Sequence, residues 1–208
     1  MSKAAASLWT STAAELRDRI ASIDPTPGGG SVSIVAATLA VASIHKGVVV
    51  SLKKLSADSA RCMSLSDIRS KTSALIISLS ELADADSRSF EDYLAASALP
   101  QRTEGEKAIR KAAKEAGLVH ATRIPLEAAG EMGRGLESAA AAIGLVDAHV
   151  RSEVLAGQML IRASIRSVLL SVDANLPGIS DASLRAALKQ QRQELESTLT
   201  VPDDPVGT

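Results

Sequence analysis

The sequence is poor in cysteine and in aromatic residues, and its charges nearly balance. Cys62 is the single cysteine among 208 residues, which excludes an internal disulfide, and no cysteine–histidine cluster has zinc-site spacing. Trp9, Phe90 and Tyr93 are the only aromatic residues, and 23 basic residues stand against 24 acidic ones. Without a basic excess or stacking platforms, nucleic acid is not an expected partner, and we expect no metal site.

Signals for export and membrane insertion are also missing or weak. The N-terminus lacks the charged segment followed by an apolar one that a signal peptide has. Residues 31–52 imitate a membrane span, but His45 and Lys46 interrupt them, and a charge inside a bilayer costs about 2.5–3.5 kcal/mol on insertion scales. We therefore expect a cytoplasmic protein without a membrane partner, in which this segment is a central buried helix.

Alanine and aliphatic residues dominate what is present. The chain is 46% hydrophobic, and a core of small and aliphatic side chains favours closely packed helices. Apolar residues at three- and four-residue steps predict helices over about 7–22, 31–54, 67–97, 104–143, 152–172 and 181–199, with a loop or short turn over 55–66. Pro125 removes one backbone hydrogen bond from the fourth helix and should kink or split it.

The prediction is an all-α bundle of about six to seven long helices, one of them kinked by proline. We expect residues 1–208 to form a single domain in which residues 1–6 and 201–208 are frayed.

The segment DPTPGGGSV, residues 24–32, raises the possibility of a binding site. Pro25 and Pro27 hold the chain extended, and the three glycines that follow allow positive φ and leave backbone N–H groups uncovered. Ser31 is a good N-cap for the apolar helix that comes next. A glycine loop at a helix start can cradle an anion, and the alternative is a sharp turn between two helices. We call residues 25–30 the elbow.

Four segments, in this order, resemble the cyclodeaminase/cyclohydrolase family. They are PTPGGGSV at 25–32, ADADSRSFEDYLAASALP at 83–100 followed by EGEKAIRKAAKEA at 104–116, RIPLEAA at 123–129, and the stretch from Ser152 to NLPGISD at 175–181. The family includes the C-terminal domain of formiminotransferase-cyclodeaminase and free-standing bacterial methenyltetrahydrofolate cyclohydrolases. The resemblance covers about residues 8–182 and implies an all-helical homodimer with a folate-binding cleft between helices.

The resemblance implies one of two reactions on a tetrahydrofolate derivative. In the first, water adds to 5,10-methenyltetrahydrofolate and gives 10-formyltetrahydrofolate. In the second, ammonia leaves 5-formiminotetrahydrofolate as the ring closes. Both need proton transfers at a carbon between two nitrogens, which carboxylates or lysines with shifted pKa values can perform. Neither needs a metal or a redox cofactor, so no cofactor is expected.

Four residues are the expected acid–base groups: Lys53, Lys54, Asp86 and Glu153. Asp86 shares a helix face with Phe90, whereas Asp84 points about 200° away and cannot face the same cleft. The alternative for these acids is a solvated helix face.

The other acid–base candidates also have structural alternatives. Lys53 and Lys54 match a basic cluster of the family, or they compensate the helix dipole. Glu153 stands where the family has the shorter Asp, and Ser152-Glu153 is otherwise a plain helix start.

Substrate binding is expected at the elbow and at both ends of the fifth helix. Asn175 matches a family asparagine whose amide suits the edge of a pterin ring, and the alternative is a helix C-cap. The expected binding residues are Pro27, Gly28, Gly29, Gly30, Ser31, Ser152 and Asn175.

Cyclohydrolase activity is favoured over cyclodeaminase activity because no formiminotransferase domain accompanies the chain. Two other functions stay open, because SLKKLSADSA at 51–60 and VDAHVRSE at 146–153 depart from the family pattern. One is a paralogue acting on a different nitrogen heterocycle. The other is a non-catalytic helical dimer that binds a ligand or a partner protein.

Overall fold

The computed structural model describes residues 7–53, 55–57, 59–197 and 199. In these residues the regular structure is helical, which confirms the all-α prediction. The six α-helices are α1 (Ala13–Ile20), α2 (Gly29–Leu52), α3 (Ala60–Ser97), α4 (Glu104–Ile143), α5 (Arg151–Asn175) and α6 (Ala182–Ser197). Short 3-10 turns occupy Leu8–Thr10, Ala148–Val150 and Leu176–Gly178.

Helices α2 to α5 form an up-down-up-down four-helix bundle. Both α2 and α4 pack against α3 and α5, and α6 packs across α4 and α5. Ser33 Oγ donates to Ser167 Oγ at 2.7 Å, and Ser43 Oγ donates to the carbonyl of Glu153 at 3.2 Å, so α2 and α5 are antiparallel. The largest side chains of the core are Ile34, Ile44, Leu65, Leu79, Leu126, Met132, Ile161, Ile165, Leu169 and Ile179.

Glycines let these helices approach closely where a larger residue would hold them apart. A Cβ placed on Gly157 would lie 2.6 Å from Ile44 Cγ1 and 2.7 Å from the carbonyl oxygen of Ala40. Since one of these two contacts is to a backbone atom, α5 would have to move away from α2 to admit a side chain. The scarcity of aromatic residues in the sequence agrees with this tight aliphatic packing.

Three helix starts differ from the prediction. Helix α1 begins at Ala13 and not near residue 7, because Thr12 is its N-cap and forms a capping box with Glu15. Helix α2 begins at Gly29 with Gly28 as its N-cap, so the assignment of Ser31 as N-cap was wrong. Helix α3 begins at Ala60, within the segment predicted as a loop or short turn, because Ser59 Oγ accepts a hydrogen bond from the N–H of Cys62 at 3.1 Å. The capping serine was present in the sequence, but the polar residues around it concealed the helix start.

Helix α4 runs for 40 residues and passes through Pro125 without interruption. It therefore does not split at the proline, and the kink stays a prediction. Pro125 has no N–H to donate to the carbonyl four residues earlier, which belongs to Ala121.

Helix α2 and the segment Ala148–Gly178 are long and apolar enough to cross a membrane by length and composition, with mean hydropathies of 1.7 and 1.3. In the bundle, 50% of the apolar window of α2 is buried. A helix at the centre of a bundle has the same composition as a membrane span, so these two helices are weak evidence for one.

Candidate functional site

A cavity of about 230 Å³ lies where the elbow meets the later turns of α3, the middle of α4 and the end of α5. We call it the elbow pocket. Its lining residues are Pro25, Thr26, Gly28, Gly29, Gly30, Ser31, Asp86, Ser87, Ser89, Phe90, Ala121, Ser171, Ala174 and Asn175. The cavity thus brings together the three elbow glycines, Ser31, Asp86 and Asn175, which the sequence had indicated from separate helices.

Asp86 is held against the start of α2. Ser31 Oγ donates to Asp86 Oδ2 at 2.6 Å, and Ser87 Oγ lies 2.9 Å from Ser31 Oγ. Burial raises the pKa of the Asp86 carboxyl, and hydrogen bonds from the hydroxyl and the backbone N–H of Ser31 oppose this rise. Asp86 therefore keeps its proton to a higher pH than an exposed aspartate does, which suits a group that takes up and returns a proton.

Gly30 provides the space for this contact. A Cβ at Gly30 would lie 2.7 Å from Asp86 Oδ2 and 2.9 Å from Oδ1, whereas a Cβ at Gly29 would meet nothing within 4 Å. No glycine in the described residues has a positive φ, so the expected use of the glycines for that conformation was wrong. The sequence requires glycine at position 30 because the carboxylate approaches the backbone there.

The first turn of α2 contributes backbone donors to the pocket. Gly28 caps the helix without a side-chain hydrogen bond, and the first helical bond runs from the N–H of Val32 to the carbonyl of Gly28 at 3.0 Å. The N–H groups of Gly29 and Gly30 precede that bond and have no acceptor within the helix. They lie at the positive end of the helix dipole, where an electron-rich oxygen binds favourably.

The elbow itself is fixed to α3. Thr26 Oγ1 donates to Glu91 Oε1 at 2.8 Å, and the Thr26–Pro27 peptide bond is cis. Pro27 is buried within the elbow and is not among the pocket-lining residues. Its placement supports the shape of the elbow, whereas its predicted contact with substrate stays a prediction.

Asn175 joins α5 to α4 at the wall of the pocket. Its Nδ2 donates to the carbonyl oxygen of Ala121 at 3.2 Å. The side chain therefore reaches across to α4 and does not cap the end of its own helix. Because this bond fixes the amide plane, the rest of the amide is held at the pocket wall.

Lys53, Ser152 and Glu153 lie at the opposite end of the bundle from the elbow pocket. Lys53 is exposed at the end of α2, and the 24 residues of that helix span about 36 Å. Ser152 and Glu153 are in the first turn of α5, which is antiparallel to α2. Lys54 lies outside the described residues.

Glu153 is engaged in a surface ion pair. Lys46 Nζ lies 2.7 Å from Glu153 Oε1, and Ser43 Oγ donates to Oε2 at 3.0 Å. The hydrogen bond from Lys46, followed by that from Ser43, lowers the pKa of the Glu153 carboxyl. Asp86 and Glu153 therefore have pKa values shifted in opposite directions, and only Asp86 lies in the elbow pocket.

Some pocket residues were not found from the sequence. Ser171 was not among the predicted site residues, although it precedes Asn175 by four residues and so shares its helix face. Ala121 carries no signal of its own, because its role depends on Pro125 and on the packing of α5. Ser87 follows Asp86 directly, and its contact with Ser31 depends on how α2 crosses α3.

The chemical groups of the pocket suit an organic ligand. No set of three or more His, Cys, Asp or Glu side chains that could hold a metal ion occurs in the part of the chain that the structure describes. The lining contains one carboxyl group, together with hydroxyl, amide and backbone groups and the ring of Phe90. A few directional polar groups beside an aromatic wall are typical of small-molecule sites.

Several known proteins resemble this chain in sequence. The sequence profile of the formiminotransferase-cyclodeaminase family matches residues 12–194. A methenyltetrahydrofolate cyclohydrolase of Methylorubrum extorquens is 28% identical over 187 residues, which is 88% of this chain and 86% of that protein. The formimidoyltransferase-cyclodeaminase of Sus scrofa is 30% identical over 120 residues, which is 56% of this chain and 22% of that longer protein.

The fold also has a solved counterpart. The crystal structure of a formiminotetrahydrofolate cyclodeaminase from Thermotoga maritima superposes with a TM-score of 0.80, covering 92% of this chain and 91% of that one at 22% identity. The two proteins therefore share the fold.

Proposed function

The chain belongs to the formiminotransferase-cyclodeaminase family, and on that premise we propose that it is an enzyme acting on the one-carbon unit of a tetrahydrofolate. The proposed reaction is hydrolysis of 5,10-methenyltetrahydrofolate to 10-formyltetrahydrofolate. The relative that matches over most of both chains is named a methenyltetrahydrofolate cyclohydrolase, which supports this choice. Cyclodeamination of formiminotetrahydrofolate is the second candidate, because other relatives are named for that activity.

The buried carboxyl of Asp86 beside the open start of α2 is the observation that carries the proposal. The methenyl carbon is electron-poor because it lies between N5 and N10, and it is attacked by water. The Asp86 carboxylate takes a proton from that water as the new C–O bond forms. It then gives a proton to N5 as the C–N5 bond breaks, and the overall reaction releases one proton to solvent.

The shifted pKa of Asp86 suits both halves of this cycle. A general base works best when its pKa lies near the working pH, and burial moves the Asp86 carboxyl in that direction. The N–H groups of Gly29 and Gly30 stabilise the oxygen of the neutral tetrahedral intermediate as its hydroxyl loses the second proton of the water and the C–N5 bond breaks. In the cyclodeaminase reaction the same carboxyl would take the proton of N10 and return one to the departing amine.

The test uses the near-ultraviolet absorbance of methenyltetrahydrofolate, which 10-formyltetrahydrofolate lacks. We expect the absorbance to fall faster with the purified protein than in buffer alone. The Asp86→Asn variant should lower the rate of the enzyme by about 10²–10⁴-fold. Tight folate binding without acceleration would instead favour the non-catalytic ligand-binding function. Absence of both binding and acceleration would favour a paralogue acting on another heterocycle.

A second copy of the chain is the proposed macromolecular partner. Leu39 on α2 and Met159, Leu160 and Leu170 on α5 are 59%, 68%, 51% and 65% exposed. Leu39 and Leu160 lie at the same level of the antiparallel pair, as Ser33 and Ser167 do. Exposed apolar side chains on two neighbouring helices form a face that favours self-association. We call it the α2–α5 face.

We also propose a cytoplasmic location and a reaction without a cofactor. Adding water to the methenyl carbon and releasing a nitrogen changes no oxidation state, so the reaction itself requires no redox group. A chain with one cysteine is compatible with a reducing compartment, where disulfides are rare.

A further inference from the structure

The hydroxyl of Ser87 is turned away from its own helix and toward α2. Other buried hydroxyls of the bundle donate to the carbonyl four residues earlier, as Thr38, Ser51 and Ser138 do at 2.8–2.9 Å. This is the ordinary bond of a buried serine or threonine within a helix. In the part of the chain that the structure describes, the hydrogen bond of Ser87 is instead with Ser31 Oγ, at 2.9 Å.

Ser87, Ser31 and Asp86 form a chain of hydrogen bonds that has one direction. A hydroxyl carries a single proton, and Ser31 Oγ donates its proton to Asp86 Oδ2 at 2.6 Å. Ser31 must therefore accept from Ser87, because it has no second proton to give. Hydrogen bonds from a hydroxyl to a charged oxygen measure about 2.5–2.7 Å, and the bond to Asp86 lies in this range. The chain thus leads from Ser87 through Ser31 to an ionised carboxylate.

Both hydroxyls are shielded from solvent. Ser31 is 0% exposed and Ser87 is 6% exposed, so bulk water does not compete for their protons. Hydrogen bonds in a buried chain polarise one another. A proton donated by Ser87 makes the Ser31 hydroxyl a better donor, and the Ser87 side chain therefore acts on Asp86 through Ser31.

No neighbouring charge replaces this effect among the described residues. Asp86 is the one ionisable side chain that lines the elbow pocket from α2, α3, α4 or α5. On α3, Asp84 accepts a hydrogen bond from Leu8 and Glu91 accepts one from Thr26. The charged or titratable side chains next to the lining residues in sequence are all exposed: Asp24, Arg88, His120, Arg123 and Asp173. Burial and the hydrogen bonds from Ser31 therefore control the charge of Asp86.

We propose that Ser87 is a positioning residue for the reaction, because its hydroxyl directs the proton of Ser31 onto Asp86 and so keeps the carboxylate ready to accept a proton from water. This inference rests on the proposed function of Asp86. When water attacks, one of its O–H bonds breaks and Asp86 carries that proton until N5 receives it. The hydroxyl protons of Ser31 and Ser87 stay on their own oxygens throughout.

The test compares Ser87→Thr with Ser87→Val, two side chains of nearly the same shape that differ in the hydroxyl. Near neutral pH, kcat/KM of Ser87→Val should be about two- to tenfold lower, which corresponds to one hydrogen bond. The acidic limb of its pH profile should move to higher pH, because a less stabilised carboxylate is protonated more readily. The loss should disappear at alkaline pH, which a purely structural defect would not do.

Three further variants show whether the effect passes through Ser31. Ser87→Ala removes the hydroxyl without adding volume and should shift the pH profile in the same direction as Ser87→Val. In a Ser31→Ala background, threonine and valine at position 87 should give the same profile. Ser138→Ala is the matched control, because Ser138 is also 6% exposed but donates to its own helix. Equal profiles for Ser87→Thr and Ser87→Val in an active enzyme would overturn the assignment.

An unfolding measurement separates failure of this inference from failure of the proposed function, since it needs no substrate. Burial raises the pKa of Asp86, so the folded protein loses stability as the pH rises through the folded-state pKa. Loss of the Ser87 hydroxyl should raise this pKa further. The free energy of unfolding of Ser87→Val should therefore fall further below that of Ser87→Thr as the pH rises above the ordinary aspartate pKa of about 3.9.

The same two substitutions in an Asp86→Asn background provide the control for unfolding. There the difference between threonine and valine should not depend on pH, because the amide does not titrate. This pattern would support the role of Ser87 even if methenyltetrahydrofolate were not a substrate. A difference that is independent of pH while Asp86 is present would overturn it.

Discussion

Asn175 takes over a hydrogen bond that Pro125 cannot make. In α4 the carbonyl of Ala121 lies four residues before Pro125, which has no N–H, and Asn175 Nδ2 donates to that carbonyl at 3.2 Å. The proline in one helix and the asparagine at the end of another are thereby coupled at the wall of the elbow pocket. This explains how α4 passes through a proline at the site while its freed carbonyl remains hydrogen-bonded.

A double-mutant cycle tests this coupling. Asn175→Ala should destabilise the protein by about 1–3 kcal/mol, because it leaves a largely buried carbonyl without a donor. With Pro125→Ala, the backbone N–H of the new residue can bond to Ala121, so the cost of Asn175→Ala should fall. Denaturant unfolding of the four proteins gives the coupling energy. Equal costs in the two backgrounds would contradict the coupling.

Asp86→Asn should make the protein more stable at neutral and alkaline pH. Because burial raises the pKa of Asp86, the folded protein binds this proton more tightly than the unfolded chain does. The resulting stabilisation is present at acidic pH and is lost as the pH rises through the folded-state pKa. The neutral amide has no such dependence, so the stability difference in favour of the variant should grow as the pH rises above the ordinary aspartate pKa of about 3.9.

Urea unfolding at a series of pH values measures this difference, and Asp84→Asn is the matched control. Asp84 Oδ1 accepts a hydrogen bond from the N–H of Leu8 at 2.8 Å, which the amide oxygen of asparagine can also accept, so this variant should gain no stability as the pH rises. A pH-independent difference for Asp86→Asn would contradict the raised pKa.

Gly30→Ala should remove activity while Gly29→Ala leaves it nearly intact. A Cβ at position 30 would collide with both oxygens of Asp86, whereas one at position 29 meets open space. A displacement of the carboxylate by about 1 Å can cost about 10²-fold in rate. Both variants replace glycine by alanine in the same helix and gain similar helix propensity. Measuring kcat/KM and the thermal unfolding temperature of both variants therefore separates an effect on the site from an effect on stability. Similar losses in both variants would contradict the role given to Gly30.

The sequence predicted the members of the elbow pocket better than their contacts. The prolines and glycines of residues 25–30 predicted the position of the elbow. The four-residue spacing of Asp86 and Phe90 placed both side chains on one face of α3. The sequence did not predict the contact between Gly30 and Asp86, because this contact depends on how α2 crosses α3. The hydroxyl of Ser31, predicted to cap α2, is instead used by Asp86.

The sequence also placed candidate residues in one site that the fold separates. Glu153 opens α5 beside Lys46, and Lys53 ends α2, so both lie far along the bundle from Asp86 within a protomer. Local patterns carry no information on which ends of long helices meet, since that depends on the direction of each helix. The sequence contains four cations at three- and four-residue steps in α4, but only the fold shows that they line one cavity: Lys107, Arg110, Lys111 and Lys114.

Lys53→Gln and Glu153→Gln should each reduce kcat/KM by less than about tenfold. Within a protomer these residues lie near the far end of a helix about 36 Å long, and Glu153 is occupied by its pair with Lys46 at 2.7 Å. Steady-state kinetics of the two variants and of Asp86→Asn gives the three values of kcat/KM to compare. A loss as large as that of Asp86→Asn would show that the far end of one protomer completes the elbow pocket of another.

Leu160→Glu should convert the proposed dimer to a monomer in light-scattering measurements. The residue lies on the α2–α5 face beside Leu39, so two copies of the charge would be buried in an interface about this position. A stable interface of this kind buries about 800 Å² per partner, and an unpaired charge within it is strongly unfavourable. Ile77→Glu is the matched control, because Ile77 on α3 is 60% exposed and lies outside the α2–α5 face. Isolated exposed apolar residues are ordinary on protein surfaces, so the control should leave the mass unchanged. A dimer that survives Leu160→Glu and is lost with Ile77→Glu would place the interface on α3 instead.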